Sequence, residues 1–205
     1  MDSFMFVKGF NIFEIIKDEI FMDDLFQNRF KIRSARLQNW NYNSAAVYFI
    51  TICTKERMPF LGHIENEKVI LTEVGKFAAD EWQRTPEIRY DMNISLGEYI
   101  VMPDHFHSII FIKENEFNSE FGSIKQNKDN GNKFSPQRKN LPSIIRGFKS
   151  AVTSFSKTKG IEFGWQSRYW EHMIRTEEEL QTISQYIINN PSNYGGKNNP
   201  LRQND

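Results

Sequence analysis

The chain has 205 residues, which at about 150 residues per domain predicts one domain with a short appended segment. Its composition, with 39% hydrophobic and 25% charged residues, excludes a globally disordered chain, and no apolar run reaches the ~18 residues that a membrane span needs. The formal net charge is zero. Cys53 is the single cysteine, which excludes an intramolecular disulfide and favours a reducing compartment, so we expect a cytoplasmic protein.

Charge is distributed unevenly along the chain. Residues 1–30 hold six acidic side chains against three basic ones, whereas residues 122–159 hold nine lysines and arginines against one aspartate. A basic stretch of this kind either keeps a surface solvated or binds phosphate groups. Three further basic side chains, Lys31, Arg33 and Arg36, form a short arm of the type that follows a nucleic-acid backbone.

The first 30 residues differ from the rest of the chain in being acidic and rich in Phe and Ile. We predict that residues 1–30 form an N-terminal extension, helical around 11–26, that residues 31–194 form the domain, and that residues 195–205 form a tail. Val47–Cys53 is the first clear strand. It is apolar on both faces, which is typical of a strand that is covered on both sides.

The middle of the chain predicts a helix followed by a β-hairpin. A short strand at 69–71 precedes the helix, which begins at Thr72 and ends before Pro86. Two strands, Ile94–Met102 and His105–Ile112, then flank a Pro-Asp turn, and this pattern indicates a hairpin.

A basic loop and a helix with a basic side follow the hairpin. Residues 114–140 are rich in Asn, Lys, Ser and Gly and have no periodicity, which predicts a mobile loop. Residues 142–158 repeat apolar side chains at helical spacing. Arg146, Lys149 and Lys157 fall on the opposite side of that helix, where we expect them to bind DNA if the basic stretch binds phosphates.

The last helix has a clear start signal. Thr176 and Glu179 fit a capping box, in which the Glu179 carboxylate accepts from the backbone N–H of Thr176. We expect this helix to stop near Asn190 because a proline follows, and we expect a strand between Trp165 and Arg175. Hairpins with interspersed helices predict an α+β sandwich on a largely antiparallel sheet.

Two histidines are candidates for metal binding. His105 and His107 are two residues apart on a predicted strand, so both imidazoles project from one face while Phe106 turns to the other. Such a pair suits a transition metal; a pair of surface or hydrogen-bonded histidines is the alternative. Because the strand is otherwise made of Ile and Phe, both interpretations stay open. No cysteine is nearby, which excludes a thiolate zinc site.

A tyrosine and an asparagine share one face of the last helix. Tyr186 and Asn190 are four residues apart, at the margin of its apolar stripe. Spacing alone favours the simpler interpretation, in which Tyr186 packs against the core and Asn190 helps to end the helix. The alternative is chemical: a tyrosine hydroxyl, with a usual pKa of ~10, attacks a phosphodiester when a metal ion screens the negative charge and stabilises the leaving oxygen.

Several segments resemble, in order, the single-tyrosine HUH transposases, and in particular their REP-associated tyrosine transposase branch. The specific part of the resemblance is Val-Met-Pro-Asp before the two histidines together with the terminal Tyr-Ile-x-x-Asn-Pro. The resemblance spans roughly residues 31–194. The matching segments are Arg33–Leu37, Tyr48–Thr54, Glu98–His107, Ile145–Ser150, Trp165–Gln166, Glu171–Arg175, Glu178–Leu180 and Tyr186–Pro191.

The resemblance implies a ferredoxin-like α+β fold, with a largely antiparallel sheet flanked by helices. It also implies metal-dependent cleavage and strand transfer of single-stranded DNA, at hairpin-bearing repeats. Tyr186 would be the nucleophile and would form a 5′-phosphotyrosine. His105, His107 and Asn190 would hold Mg²⁺ or Mn²⁺; two imidazoles alone favour Zn²⁺ or Mn²⁺, but phosphate oxygens and waters would supply further hard ligands.

Three alternatives remain at this point. One is another HUH nickase, of the replication-initiator or relaxase type. The second is a catalytically silent protein that binds DNA hairpins. The third is an RNA-binding α+β domain, which leaves the two histidines and Tyr186 unexplained. The sequence leaves open a monomer or a homodimer, and therefore whether Tyr186 acts in cis or in trans.

Overall fold

The computed structural model describes residues 45–118 and 139–194, together with the backbone of 23–26 and 29–32. Within these residues the chain forms eight strands and four α-helices. The strands are β1 (Asp23–Phe26), β2 (Arg29–Ile32), β3 (Ala46–Cys53), β4 (Gly62–Glu65), β5 (Lys68–Leu71), β6 (Ile94–Val101), β7 (His105–Ile112) and β8 (Trp170–Ile174). The helices are α1 (Glu73–Gln83), α2 (Thr85–Ile88), α3 (Leu141–Thr158) and α4 (Glu177–Asn193).

A hairpin spans the predicted boundary between the N-terminal extension and the domain. Strands β1 and β2 pair antiparallel, so the prediction of a helix around 11–26 is wrong for residues 23–26. Apolar spacing along one segment takes no account of a partner strand, and here pairing with β2 satisfies the backbone of β1. The rest of that predicted helix, Arg33, Arg36, residues 119–138 of the loop and the tail lie outside the described residues. The domain boundary at residue 30 stays a prediction.

The central sheet has four strands in the order β6-β7-β3-β8, and every neighbouring pair is antiparallel. Both faces of β3 are apolar because one packs against α1 and α3 and the other against α4. Together with the flanking helices this confirms the predicted α+β fold with an antiparallel sheet. Strands β4 and β5 form a separate hairpin, of which only β5 was predicted. No described helix has the length and apolar character to cross a membrane.

Helices α1 and α3 pack on one face of the sheet. Trp82 of α1 and Phe148 of α3 both contact Phe106 of β7, with ring centroids 5.1 and 5.2 Å apart. The Trp82 indole donates a hydrogen bond to Ser108 Oγ at 2.9 Å. Each fully buried aromatic side chain stabilises the fold by roughly 1.5–3 kcal/mol. This layer therefore packs against the face of β7 that carries Phe106.

Helix α4 covers the opposite face. Ile183 and Ile187 pack against Phe49, Ile109 and Trp170 of the sheet. Thr176 caps the helix as predicted: its Oγ1 accepts from the N–H of Glu179 at 3.2 Å. This second apolar cluster fixes the position of α4 on the face from which the histidines project.

Two details of α4 differ from the predictions. The Glu179 carboxylate accepts from the N–H of Arg175 at 2.8 Å rather than from that of Thr176, and its other oxygen lies 2.6 Å from His172 Nε2. The helix also continues through Pro191 to Asn193, so the predicted stop near Asn190 is wrong. A proline in the last turn removes a single helical N–H, which a helix end tolerates better than a helix centre.

Candidate active site

The two histidines of β7 lie side by side beneath α4. The register of β3 and β7 pairs Thr51 with His107 and Cys53 with His105, so all four side chains lie on one face of the sheet. The imidazoles are buried, with 2% of His105 and 1% of His107 exposed, and their ring centroids are 4.5 Å apart. The shared face agrees with the two-residue spacing, and burial excludes the alternative of surface histidines.

Each imidazole is oriented through its Nδ1 atom. His105 Nδ1 lies 2.6 Å from Asp104 Oδ1, and His107 Nδ1 lies 2.8 Å from Thr51 Oγ1. His105 Nε2 is buried without a hydrogen-bond partner among the described residues. In metal-binding histidines, one ring nitrogen commonly binds the ion while the other is hydrogen-bonded to an oxygen. The geometry therefore fits a cation better than a closed hydrogen-bond network.

Both imidazoles are kept neutral by their surroundings. Burial lowers the pKa of His105, although its contact with Asp104 opposes this shift. Burial lowers the pKa of His107 well below its ordinary value, and electrostatic interactions with the His105 ring and the Arg57 guanidinium lower it further. Neutral imidazoles retain a lone pair on one ring nitrogen, which is the form that binds a metal.

Tyr186 projects from α4 toward the same point. Its Oη lies 3.4 Å from His107 Nε2, and its ring contacts Phe49 edge to face at a centroid distance of 6.1 Å. Burial raises the pKa of Tyr186 to about 12, although a hydrogen bond with Asn190 acts in the opposite direction. Asn190 is 9% exposed and also acts on the pKa of His105, which it raises. The four predicted site residues are therefore brought together.

Three further residues complete this site, and the sequence analysis did not identify them. Asp104 lies between His105 and Arg57: Arg57 Nε is 3.5 Å from Asp104 Oδ2. Burial raises the pKa of Asp104, but His105 and Arg57 outweigh it, so the pKa lies below its usual value and the carboxyl is ionised. Tyr194 bonds to Asp104 and lies with its ring 6.2 Å from that of His105. Of these three residues, only Asp104 had a signal in the sequence, which is its adjacency to His105.

The predicted DNA-binding residues are not part of this cluster. Arg146 and Lys157 are exposed on α3, whereas Lys149 Nζ donates to the carbonyl of Gln166 at 2.6 Å. Burial lowers the pKa of Lys149. Lys149 and Lys157 line a groove between α3 and residues 164–167. Arg33 and Arg36 lie outside the described residues, and of Lys31 only the backbone, in β2, is described.

The cluster is poor in carboxylates and thiolates. In residues 45–118 and 139–194 no group of three or more His, Cys, Asp and Glu side chains is placed to hold a metal. The oriented donors are two imidazoles, the amide of Asn190 and the hydroxyl of Tyr186. Fold and site together define an antiparallel α+β domain in which a tyrosine faces two buried, neutral histidines.

Acidification is expected to destabilise the fold. The folded-state pKa of each buried histidine lies below the unfolded value of ~6.5, so the unfolded chain binds more protons and stability falls as the pH drops from 7 toward 5. Urea denaturation at several pH values measures this slope. His107→Gln should flatten it, because it removes the histidine whose pKa is lowered furthest by burial. An identical slope in His107→Gln would show that His107 is not the source.

Comparison with known proteins shows which proteins this chain resembles. No family model matches the chain. An uncharacterized protein of Haemophilus influenzae is 34% identical over 160 residues, which cover 78% of this chain and 87% of that protein. A second protein of that organism, named "Putative REP-associated tyrosine transposase", is 26% identical over 155 residues, covering 76% and 75% of the two chains.

A solved structure shares the fold. It is that of a REP-associated tyrosine transposase bound to a REP hairpin, and it superimposes with a TM-score of 0.51 at 19% sequence identity. The superposition covers 78% of this chain and 74% of the other. In sequence the chain is therefore similar to REP-associated tyrosine transposases, and it shares the fold of one of them.

Proposed function

We propose that this protein cleaves single-stranded DNA and transfers the cut strand, with Tyr186 as the nucleophile. The observation that carries the proposal is the distance of 3.4 Å between Tyr186 Oη and His107 Nε2, beside the unpartnered Nε2 of His105. A hydroxyl beside two ring nitrogens is placed to attack a phosphate that a cation holds there.

The donor set fits a divalent cation. His105 and His107 are neutral, and their Nδ1 atoms are already engaged by Asp104 and Thr51. His105, His107 and Asn190 would hold Mg²⁺ or Mn²⁺, which would neutralise phosphate charge and stabilise the departing 3′ oxygen. Such ions prefer oxygen ligands, and water and phosphate oxygens would supply them in addition to the protein side chains.

The bond changes balance without a further reactant. Tyr186 Oη loses its proton and bonds to phosphorus, while the bond from phosphorus to the 3′ oxygen breaks and that oxygen is protonated. The product is a 5′-phosphotyrosine and a free 3′-OH. Because the phosphodiester energy is conserved in the covalent link, a second 3′-OH reverses the step without ATP. Burial raises the pKa of Tyr186 to about 12, so the hydroxyl is protonated at neutral pH and must lose its proton during the attack.

We propose a DNA hairpin beside the cleavage point as the substrate. A REP hairpin is the ligand in the solved structure of the fold relative. On this chain the exposed basic side chains of α3, Arg146 and Lys157, offer phosphate contacts. Lys31, Arg33 and Arg36, which the sequence predicts to follow a nucleic-acid backbone, would add further phosphate contacts.

Covalent capture tests the function. The protein is incubated with single-stranded DNA that carries a hairpin from its own genomic surroundings, with Mn²⁺ or with EDTA, and resolved on a denaturing gel. We expect a shifted band that requires the metal. Tight binding without any adduct would instead favour a silent hairpin-binding protein. Adduct formation without transfer to a second 3′-OH would favour a nickase.

The two exposed basic residues of α3 should contribute to DNA affinity through charge. Arg146→Gln and Lys157→Gln are each expected to weaken binding and to reduce the slope of log K against log salt by ~0.7 on single-stranded DNA. Fluorescence anisotropy in EDTA at several salt concentrations measures both effects. Lys113→Gln is the matched control, since Lys113 is exposed at the far end of β7. Equal slopes for all variants would exclude α3 from the DNA contact.

Lys149 should behave differently from its neighbours on α3. Three carbonyl oxygens, those of Gln166, Ser167 and Arg168, lie within 3.4 Å of its ammonium. Lys149→Gln is therefore expected to lower the free energy of unfolding by ~1–3 kcal/mol in urea denaturation, because it removes charged hydrogen bonds to these acceptors. A variant as stable as the wild type would show that the contacts contribute little to folding.

A further inference from the structure

A tight turn after β3 places Arg57 at the active site. Glu56 and Arg57 adopt φ angles of 52° and 56°, in the left-handed region that is unfavourable for residues other than glycine. The buried Thr54 secures this turn: its N–H donates to the carbonyl of Asp104 at 3.0 Å, and its hydroxyl donates to the same carbonyl at 2.9 Å. The turn is thus joined to the residue that orients His105.

The Arg57 guanidinium keeps donors available. Its Nη1 donates to Cys53 Sγ at 2.9 Å, and its Nε lies 3.5 Å from Asp104 Oδ2. A thiol is a weak acceptor, and a guanidinium has five N–H donors. The Arg57 side chain makes no further hydrogen bond or ion pair with residues 45–118 and 139–194. Its side chain is 26% exposed, so a ligand reaches it from solvent.

The charge of Arg57 acts on every group of the proposed reaction. Burial dominates the pKa shifts of Tyr186, His105 and His107, but in each case the positive charge of Arg57 lowers the pKa as well. The geometry links Arg57 to the site through Asp104, whose Oδ2 lies 3.5 Å from Arg57 Nε and whose Oδ1 lies 2.6 Å from His105 Nδ1. The carboxylate that partners it, Asp104, is shared with His105, so it only partly neutralises Arg57.

We propose that Arg57 binds the scissile phosphate and stabilises its charge during attack by Tyr186. The inference rests on the proposed function. The free N–H groups of the guanidinium donate to the non-bridging oxygens of the phosphate, which gain charge as the bond to Tyr186 Oη forms and the bond to the 3′ oxygen breaks. Arg57 forms no covalent bond and exchanges no proton. Paired donation of this kind is the geometry in which arginine binds phosphate most strongly.

A substrate without charge at the scissile linkage tests this role. Adduct formation is measured in single turnover with Mn²⁺ for wild type, Arg57→Ala, Arg57→Lys and Arg84→Ala. Arg84 is the matched control, an exposed arginine paired with Glu81 at 3.7 Å. On normal DNA we expect Arg57→Ala to be slower by roughly 10²-fold, Arg57→Lys to be intermediate, and Arg84→Ala to react at the wild-type rate.

The same proteins are then tested on DNA with a methylphosphonate at the cleavage point. This linkage carries no negative charge, so the difference between wild type and Arg57→Ala should disappear. A difference that persists would mean that Arg57 acts only through Asp104 and His105, and would overturn the inference, as would a wild-type rate for Arg57→Ala on normal DNA. Circular dichroism checks folding, and Arg57→Lys preserves the charge if the alanine variant unfolds.

Failure of the two proposals can be told apart. If wild type forms an adduct and the Arg57 variants react equally fast, the inference about Arg57 is wrong and the strand-transfer function stands. If wild type forms no adduct on any hairpin substrate with Mn²⁺, the proposed function is wrong and the role of Arg57 falls with it.

Discussion

Tyr186→Phe should form no covalent adduct with DNA while it folds and binds DNA as the wild type does. The substitution removes only Oη and keeps the ring contacts with Phe49 and His107. Without that oxygen no bond to phosphorus forms at this position, and we expect the rate of adduct formation to fall by at least ~10⁴-fold, as for the removal of other catalytic nucleophiles. A denaturing gel measures the adduct, and anisotropy measures binding.

The structure offers a strict control for this experiment. Tyr194 is a second tyrosine at the site, bonded to Asp104 and with its ring 6.2 Å from that of His105. Tyr194→Phe should retain adduct formation. If the adduct formed in Tyr186→Phe but not in Tyr194→Phe, the nucleophile would be Tyr194, and the proposed role of Tyr186 would be wrong.

Loss of either histidine should abolish stabilisation by metal. At a Mn²⁺ concentration of 100 times Kd, a single site stabilises the folded state by ~2.7 kcal/mol, which corresponds to a rise in Tm of ~5–10 °C for a domain of this size. We expect this rise in the wild type and its absence in His105→Ala and His107→Ala. The readout is the difference in Tm between Mn²⁺ and EDTA, so the cost of the cavity that each substitution leaves cancels.

A third histidine serves as the comparison. His172 lies outside the cluster, with Nε2 bonded to Glu179 Oε1 at 2.6 Å. His172→Ala should lower the Tm in both solutions, because it removes this contact between β8 and α4, and should retain the gain with Mn²⁺. If His105→Ala kept that gain while His172→Ala lost it, the cation would bind elsewhere.

Periodicity and short motifs predicted the frame of the molecule and the candidate cluster. The two-residue spacing of His105 and His107 gives one shared face whatever the register, and the four-residue spacing of Tyr186 and Asn190 gives one shared helix face. Those local rules depend only on the type of element. That the two faces oppose each other followed from the family resemblance, since no local pattern specifies which face of a sheet a helix covers.

The residues that were missed depend on long-range contacts. Arg57 reaches the site because two residues with positive φ follow β3, and because β3 pairs with the strand that carries the histidines. Glu179 was assigned to a capping box, but it bonds to His172, which pairing with β3 brings to the start of α4. Pro191 was treated as a stop signal, although the last turn of a helix tolerates it.

The double role of helix α4 determines which inactivating mutations still leave a folded protein. The same helix carries Tyr186 and Asn190 and covers the apolar cluster around Phe49, Ile109 and Trp170. A copy truncated before α4 would expose that cluster and would be cleared as an unfolded chain. Copies that persist as inactive DNA binders are therefore expected to keep α4 and to carry point substitutions at Tyr186 or at the histidines. Loss of activity and loss of the fold would then be distinguished by the type of mutation, a point substitution in the first case and a truncation in the second.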